Sequence, residues 1–201
     1  MNRILSRASG CLLAMLLAAG FPPEAAALEK RGFYAGFDGG HAWFREFEDD
    51  TSAFTVRAGF RLSRHYAIEA AQMAFFDMRR RFAGAPGEVV DVRINDGGIF
   101  SLSVLGIYPL GGRWSLHGRA GVSLWSVFYE LESSDFPGVV NNRRDDDQTL
   151  SAGLGLTYDL NGLIGIRAVV DYYTFQPSVP PYEGRRESVP VVSLGIVIRP
   201  L

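Results

Sequence analysis

Residues 54–76, FTVRAGFRLSRHYAIEAAQMAFF, decide how the rest of the chain is read. Phe54, Val56, Ala58, Phe60 and Leu62 alternate with Thr55, Arg57, Gly59, Arg61 and Ser63. Past Arg64 and His65 the alternation resumes, with Tyr66, Ile68 and Ala70 set against Ala67, Glu69 and Ala71. Successive side chains of a strand point to opposite faces, so two such runs joined by a short turn are a β-hairpin. One face is wholly apolar. The other places two arginines and a glutamate among glycine and alanine. A soluble sheet and a lipid-facing sheet would both show this pattern, so the neighbouring segments must decide between them.

Composition narrows the choice. The 201 residues are 47% hydrophobic, include 23 glycines and carry a formal charge of −2, enough for one all-β domain of barrel or sandwich size. Without a basic excess there is no case for nucleic acid as a partner. Arg3 and Arg7 precede a short apolar run, residues 11–21 (CLLAMLLAAGF), and Ala25, Ala26 and Ala27 supply the small residues a signal peptidase needs. The run falls short of the roughly 20 residues of a spanning helix. The expected division is a cleaved signal peptide at 1–27 and a barrel domain at 28–201. The sole cysteine, Cys11, follows Ala8-Ser9-Gly10 as in a lipoprotein signal, but its apolar run comes after it rather than before. It reads as part of the removed leader, which leaves the mature chain without disulfide or thiol chemistry. Beyond Ala27 no apolar run reaches 18 residues, so no transmembrane helix is expected.

Eight alternating segments are expected along the remaining chain. They cover residues 33–44, the two arms of the opening hairpin, and about 97–110, 114–129, 148–160, 163–175 and 188–199. Their joints read long, short, long, short, long, short, long. The short ones are the Arg64-His65, Gly111-Gly112-Arg113 and Asn161-Gly162 turns, the last a strong hairpin signal. The long ones are expected as polar loops at 45–51, 77–96, 130–147 and 176–187. Tight turns at one rim and long loops at the other are the signature of an outer-membrane barrel.

Face chemistry agrees. The mixed faces collect Asp38, Arg57, Arg61, Glu69, His117, Arg119, Asp159, Arg167, Asp171 and Arg199. A soluble core does not gather five arginines, whereas the narrow interior of a closed barrel takes paired charges and small residues while the apolar face meets lipid. Closure also removes the strand edges that lipid does not tolerate. Phe33, Tyr66, Tyr108, Trp114 and Tyr158 near one set of strand ends, and Trp43, Phe76, Phe128 and Tyr172 near the other, form the expected aromatic girdles. The fold expected is all-β, an eight-stranded antiparallel up-and-down transmembrane β-barrel.

Three stretches, GFYAGFDGGHAWF, VRAGFRLSRHYAIEA and the terminal SLGIVIRPL, resemble the small barrels of the OmpA-like outer-membrane superfamily, which includes OmpX- and OmpW-type proteins. The resemblance covers residues 32–201. It implies export through the periplasm to the Gram-negative outer membrane and insertion by the barrel-assembly machinery. It implies no single activity, because the superfamily holds structural, adhesive and small-pore members. The chain departs from the pattern at Pro200-Leu201, where such barrels usually end in an aromatic residue.

The candidate chemistry is sparse. His117 and Glu69 face inward with serines nearby, but the His and Ser two apart of the lipid A deacylase type are missing, since Gly118-Arg119 follows His117. His117 reads as a hydrogen-bonding lumen group, and no catalytic residue is assigned. Arg57, Arg61, Arg119 and Arg167 are expected to pair with Asp38, Glu69, Asp159 and Asp171 and plug the lumen. The competing reading is an ion path opened when pairs exchange. Arg79, Arg80 and Arg81 suit contact with lipopolysaccharide phosphates through charge-assisted hydrogen bonds. Asp145-Asp146-Asp147 beside Asn141-Asn142 lacks the alternating spacing of a calcium loop, so neither metal nor cofactor is expected. The expected function is a non-enzymatic, structural or surface-interacting barrel whose loops meet an extracellular ligand. The runner-up is a narrow ion or solute pore, and a lipid A-modifying enzyme comes third.

Overall fold

The computed structural model describes residues 31–44, 49–75, 78–83, 89–133, 140–176 and 186–199. The expected signal peptide, Phe76 and the Pro200-Leu201 terminus lie outside them. Among the described residues every regular element is a strand. They are β1 (Gly32–Phe44), β2 (Asp49–Arg61), β3 (Tyr66–Phe75), β4 (Met78–Ala83), β5 (Val89–Gly111), β6 (Trp114–Ser133), β7 (Val140–Asp159), β8 (Ile164–Phe175) and β9 (Glu187–Ile198).

Neighbouring strands are antiparallel, in the order β3-β2-β1-β9-β8-β7-β6-β5-β4, and a pairing between β3 and β5 closes the ring. β4 continues β3 along the same neighbour: β3 pairs with β5 from Tyr66↔Gly106 to Phe75↔Gly97, and β4 from Met78↔Ile94 to Ala83↔Val89. The wall is therefore eight-stranded, one stave being built from two segments. First and last strands close the barrel through Ala35↔Ile198 to Ala42↔Val191.

The turn-side rim is tightly tied. Ser63 Oγ accepts from the amides of His65 and Tyr66, both at 3.2 Å. Gly111 and Gly112 have φ of 103° and 59°, the left-handed region that side-chain-bearing residues avoid, which explains the glycine pair at this turn. The Asn161-Gly162 joint is a hairpin as expected, but of another kind. Gly162 is not among the positive-φ glycines, and Asn161 Oδ1 instead accepts from the amides of Leu163 (2.9 Å) and Ile164 (2.7 Å). The side chain thus imitates a backbone turn.

The opposite rim corrects the expected loops. The segments taken as polar loops at 77–96 and 130–147 are largely strand: β5 runs 23 residues and β6 and β7 run 20 each. A tilted strand crosses the bilayer with about 9–11 residues, so β4–β7 continue as a sheet well beyond the barrel. The joint at 45–51 also shrinks, because Phe44 already pairs with Asp49. These extensions were read as loops because residues 77–96 and 130–147 are rich in charged and polar residues.

Inside and outside alternate as expected of a lipid-facing wall. Leu102, Leu154 and Leu194 expose 53, 64 and 63% of their surface, a waste in water but required where the outer face meets acyl chains. Phe33, Tyr108 and Trp114 stand exposed at the turn rim, and Trp43, Phe128 and Tyr172 toward the other. Trp114 packs on Tyr158 with ring centroids 4.7 Å apart, and Phe33 on Phe60 at 4.8 Å.

Candidate functional site

Six charged side chains from five strands meet inside the barrel. β1 supplies Asp38, β2 Arg57, β3 Glu69, β6 Arg119, and β8 both Arg167 and Asp171, each at most 8% exposed. Arg57 reaches three carboxylates: Nε donates to Asp38 Oδ2, Nη1 to Glu69 Oε1 at 3.3 Å and Nη2 to Asp171 Oδ2 at 2.9 Å. Glu69 is the shared acceptor. Its Oε1 also takes Arg119 Nη1 (3.1 Å), while its Oε2 takes Arg167 Nη1 (2.9 Å) and the Tyr34 hydroxyl (3.0 Å). Arg119 pairs with Asp171 and donates to the Tyr173 hydroxyl at 3.2 Å. Arg167 Nη2 reaches Asp38 Oδ2 at 3.3 Å. Three guanidinium groups thus face three carboxylates, a neutral set whose members would be costly to bury singly.

Of the three staves that bring no charge to this level, β5 brings the buried serines Ser101 and Ser103, and β7 and β9 bring glycine. A Cβ on Gly153 of β7 would run into Asp171 and Arg119, and one on Gly195 of β9 into Asp38. Long side chains from one side of the wall need room on the other, so the small inward residues are the counterpart of the charges.

Toward the long-strand rim the same inward parity turns apolar. Phe44, Met73, Phe75, Ile99, Trp125, Val127, Tyr173, Phe175, Val189 and Val191, with Ala42 and Ala53, form one buried cluster. Phe44 stacks edge-on against Phe75 (5.4 Å) and Phe175 (6.3 Å), and Trp125 lies against Phe175. Between the tiers Ser123 Oγ donates to Ser151 Oγ at 2.8 Å. The apolar tier is absent from the sequence reading above. Its signal was available: two and four positions on from Asp171 stand Tyr173 and Phe175, and four and six on from Glu69 stand Met73 and Phe75.

Toward the turn rim the remaining predicted lumen residues separate from the set. Arg199 pairs with Asp159 at 2.5 Å. Arg61 forms no ion pair among the described residues and donates to the Arg64 carbonyl at 3.3 Å. His117, 4% exposed, lines a cavity of about 270 Å³ at this mouth. It makes no hydrogen bond to a serine or carboxylate among the described residues, so no nucleophile-base pair is assembled around it.

Arg79, Arg80 and Arg81 fall on β4, in register with Arg93, Val92 and Asp91 of β5. Their side chains lie outside the described residues. Asp146 pairs with Arg144 at 2.9 Å, and Asp147 accepts from the amides of Gln148 and Gln176. No cluster of three potential metal ligands occurs among the described residues.

Comparisons with known proteins agree with this architecture. Neisserial surface protein A matches with a TM-score of 0.60 at 14% identity, over 85% of this chain and 99% of that one. Ail, the attachment invasion locus protein of Yersinia pestis, solved with the heparin analogue sucrose octasulfate, matches with a TM-score of 0.50 at 15% identity, over 84% and 97%. The N-terminal barrel of Pseudomonas aeruginosa OprF matches with a TM-score of 0.50 at 10% identity, over 84% and 100%. At these identities the likeness is one of fold. No curated protein sequence matches the chain. Residues 10–187 match the family described as outer membrane protein beta-barrel domain, and with that match over most of its length the chain belongs to this family and is a Gram-negative outer-membrane protein.

Proposed function

We propose that the protein is a non-enzymatic barrel with a sealed lumen, which acts at the cell surface through the sheet that β4–β7 carry beyond the membrane. The observation that supports this most is the one-sided overshoot of β5, β6 and β7. Strands twice the length needed for spanning serve no purpose inside lipid, and they place a rigid scaffold where partners are met. The two tiers of the lumen support the seal, since charge pairs and apolar packing follow each other along one narrow interior. Arg79, Arg80 and Arg81 on β4 would meet anionic surface groups, lipopolysaccharide phosphates first among them.

Cells lacking the gene, complemented with the full chain or with a chain in which a short turn replaces residues 78–94, test the proposal. Surface attachment should fall without the gene and return only with the full chain, while both chains insert as heat-modifiable barrels. Equal attachment with either chain would contradict a surface role for the protruding sheet. A change in lipid A mass on gene deletion would contradict the non-enzymatic assignment.

A further inference from the structure

The turn-side cavity has a charge balance unlike that of the charged tier above it. Among the described residues that line it, Asp159 is the only carboxylate, whereas Arg31, Arg61, Arg167 and Arg199 all contribute. Arg167 is ion-paired with Glu69 and Asp38, and Arg199 with Asp159, although Arg167 Nε, like that of Arg61, is buried without an acceptor among the described residues. Arg31 and Arg61 have no carboxylate partner among the described residues: Arg31 Nε donates to the Leu62 carbonyl at 3.0 Å and Arg61 Nη2 to that of Arg64. Arg61 Nε is buried without an acceptor among the described residues. A half-buried guanidinium with unused donors beside a cavity can take an anion as its counter-charge.

We infer that this cavity binds an organic phosphate, its oxygens held by Arg61 and Arg31 and its organic part against the apolar wall of Leu105, Ile107 and Val197. A volume of about 270 Å³ exceeds that of a bare oxyanion, since each water takes about 30 Å³. The planar guanidinium fork matches phosphate in bidentate geometry. The mouth opens at the tight-turn rim, the periplasmic side of such barrels. Both a free periplasmic phosphate ester and the headgroup of an anionic inner-leaflet lipid present this chemistry there.

The test uses the refolded full barrel. In nonionic detergent it is titrated with glycerol 3-phosphate and with inorganic phosphate, following amide NMR shifts. In parallel it is placed in nanodiscs of phosphatidylcholine alone or with phosphatidylglycerol. Saturable shifts confined to residues around Arg31, Arg61 and Ile107 on adding glycerol 3-phosphate, weakened about tenfold or more in Arg61→Gln, support a free ester as the source. The same shifts only in phosphatidylglycerol discs support a lipid headgroup. Arg144→Gln, at the other rim, should leave either response unchanged. Should Arg61→Gln fail to fold, the location of the wild-type shifts and their loss at high salt decide the matter. Absence of saturable shifts with every probe, shifts elsewhere, or shifts unaltered in a folded Arg61→Gln barrel would overturn the assignment.

Discussion

The two tiers of the lumen fill the same wall by different physics. In the charged tier, position is set by partners: Glu69 accepts from three arginines and a tyrosine, and each arginine meets at least two carboxylates. In the apolar tier position is set by volume, with aromatic rings from β1, β3 and β8 packed face against edge and Trp125 of β6 tilted against Phe175. A buried ion-pair set contributes little net stability over a well-packed apolar one, but losing one member leaves the rest uncompensated. The apolar tier degrades more gradually, since a lost methylene costs only its transfer and cavity terms. The charged tier is also the more selective of register, because a one-residue slip of β2 would carry Arg57 to the lipid face.

Four substitutions probe that contrast, each read as equilibrium unfolding in lipid vesicles. Glu69→Ala should be the most damaging, at about 3–5 kcal/mol, because it takes one carboxylate from each of three guanidinium groups and leaves the buried set with an uncompensated positive charge. A loss below about 1 kcal/mol would mean that water serves the arginines equally well. On the outer wall at the level of the charged tier, Leu154→Arg should cost about 2–4 kcal/mol if that level lies near the bilayer midplane. Gly153→Val places a side chain where Asp171 and Arg119 meet and should cost about 1–3 kcal/mol by overpacking. Ile99→Val in the apolar tier should be mildest, at about 0.5–1.5 kcal/mol. If Ile99→Val outweighed Glu69→Ala, the division of labour between the tiers would be wrong.

Most of the barrel was legible because alternation along residues 54–76 repeats in every stave. Parity placed Asp38, Arg57, Glu69, Arg119, Arg167 and Asp171 on one face, and closure brought them together. Pairing was less legible. Asp159 was expected among partners that included Arg61, yet it meets Arg199, because β7 and β9 flank β8 and put both residues at its turn-side end. Apolar inward residues such as Met73 and Val127 went unread because hydrophobicity alone does not say whether a side chain meets lipid or another side chain. The protruding strands were read as loops although Val90, Val92 and Ile94 alternate with Asp91, Arg93 and Asn95, because this short run stands amid polar sequence.

The central claim is that the two tiers together seal the barrel, and planar-bilayer recording of the refolded protein tests it most directly. The wild-type chain should insert without steady current, and Met73→Ala with Phe75→Ala, which thins only the apolar tier, should remain silent behind the charges. Steady, long-lived openings of the wild-type barrel would contradict the seal and restore the narrow-pore reading.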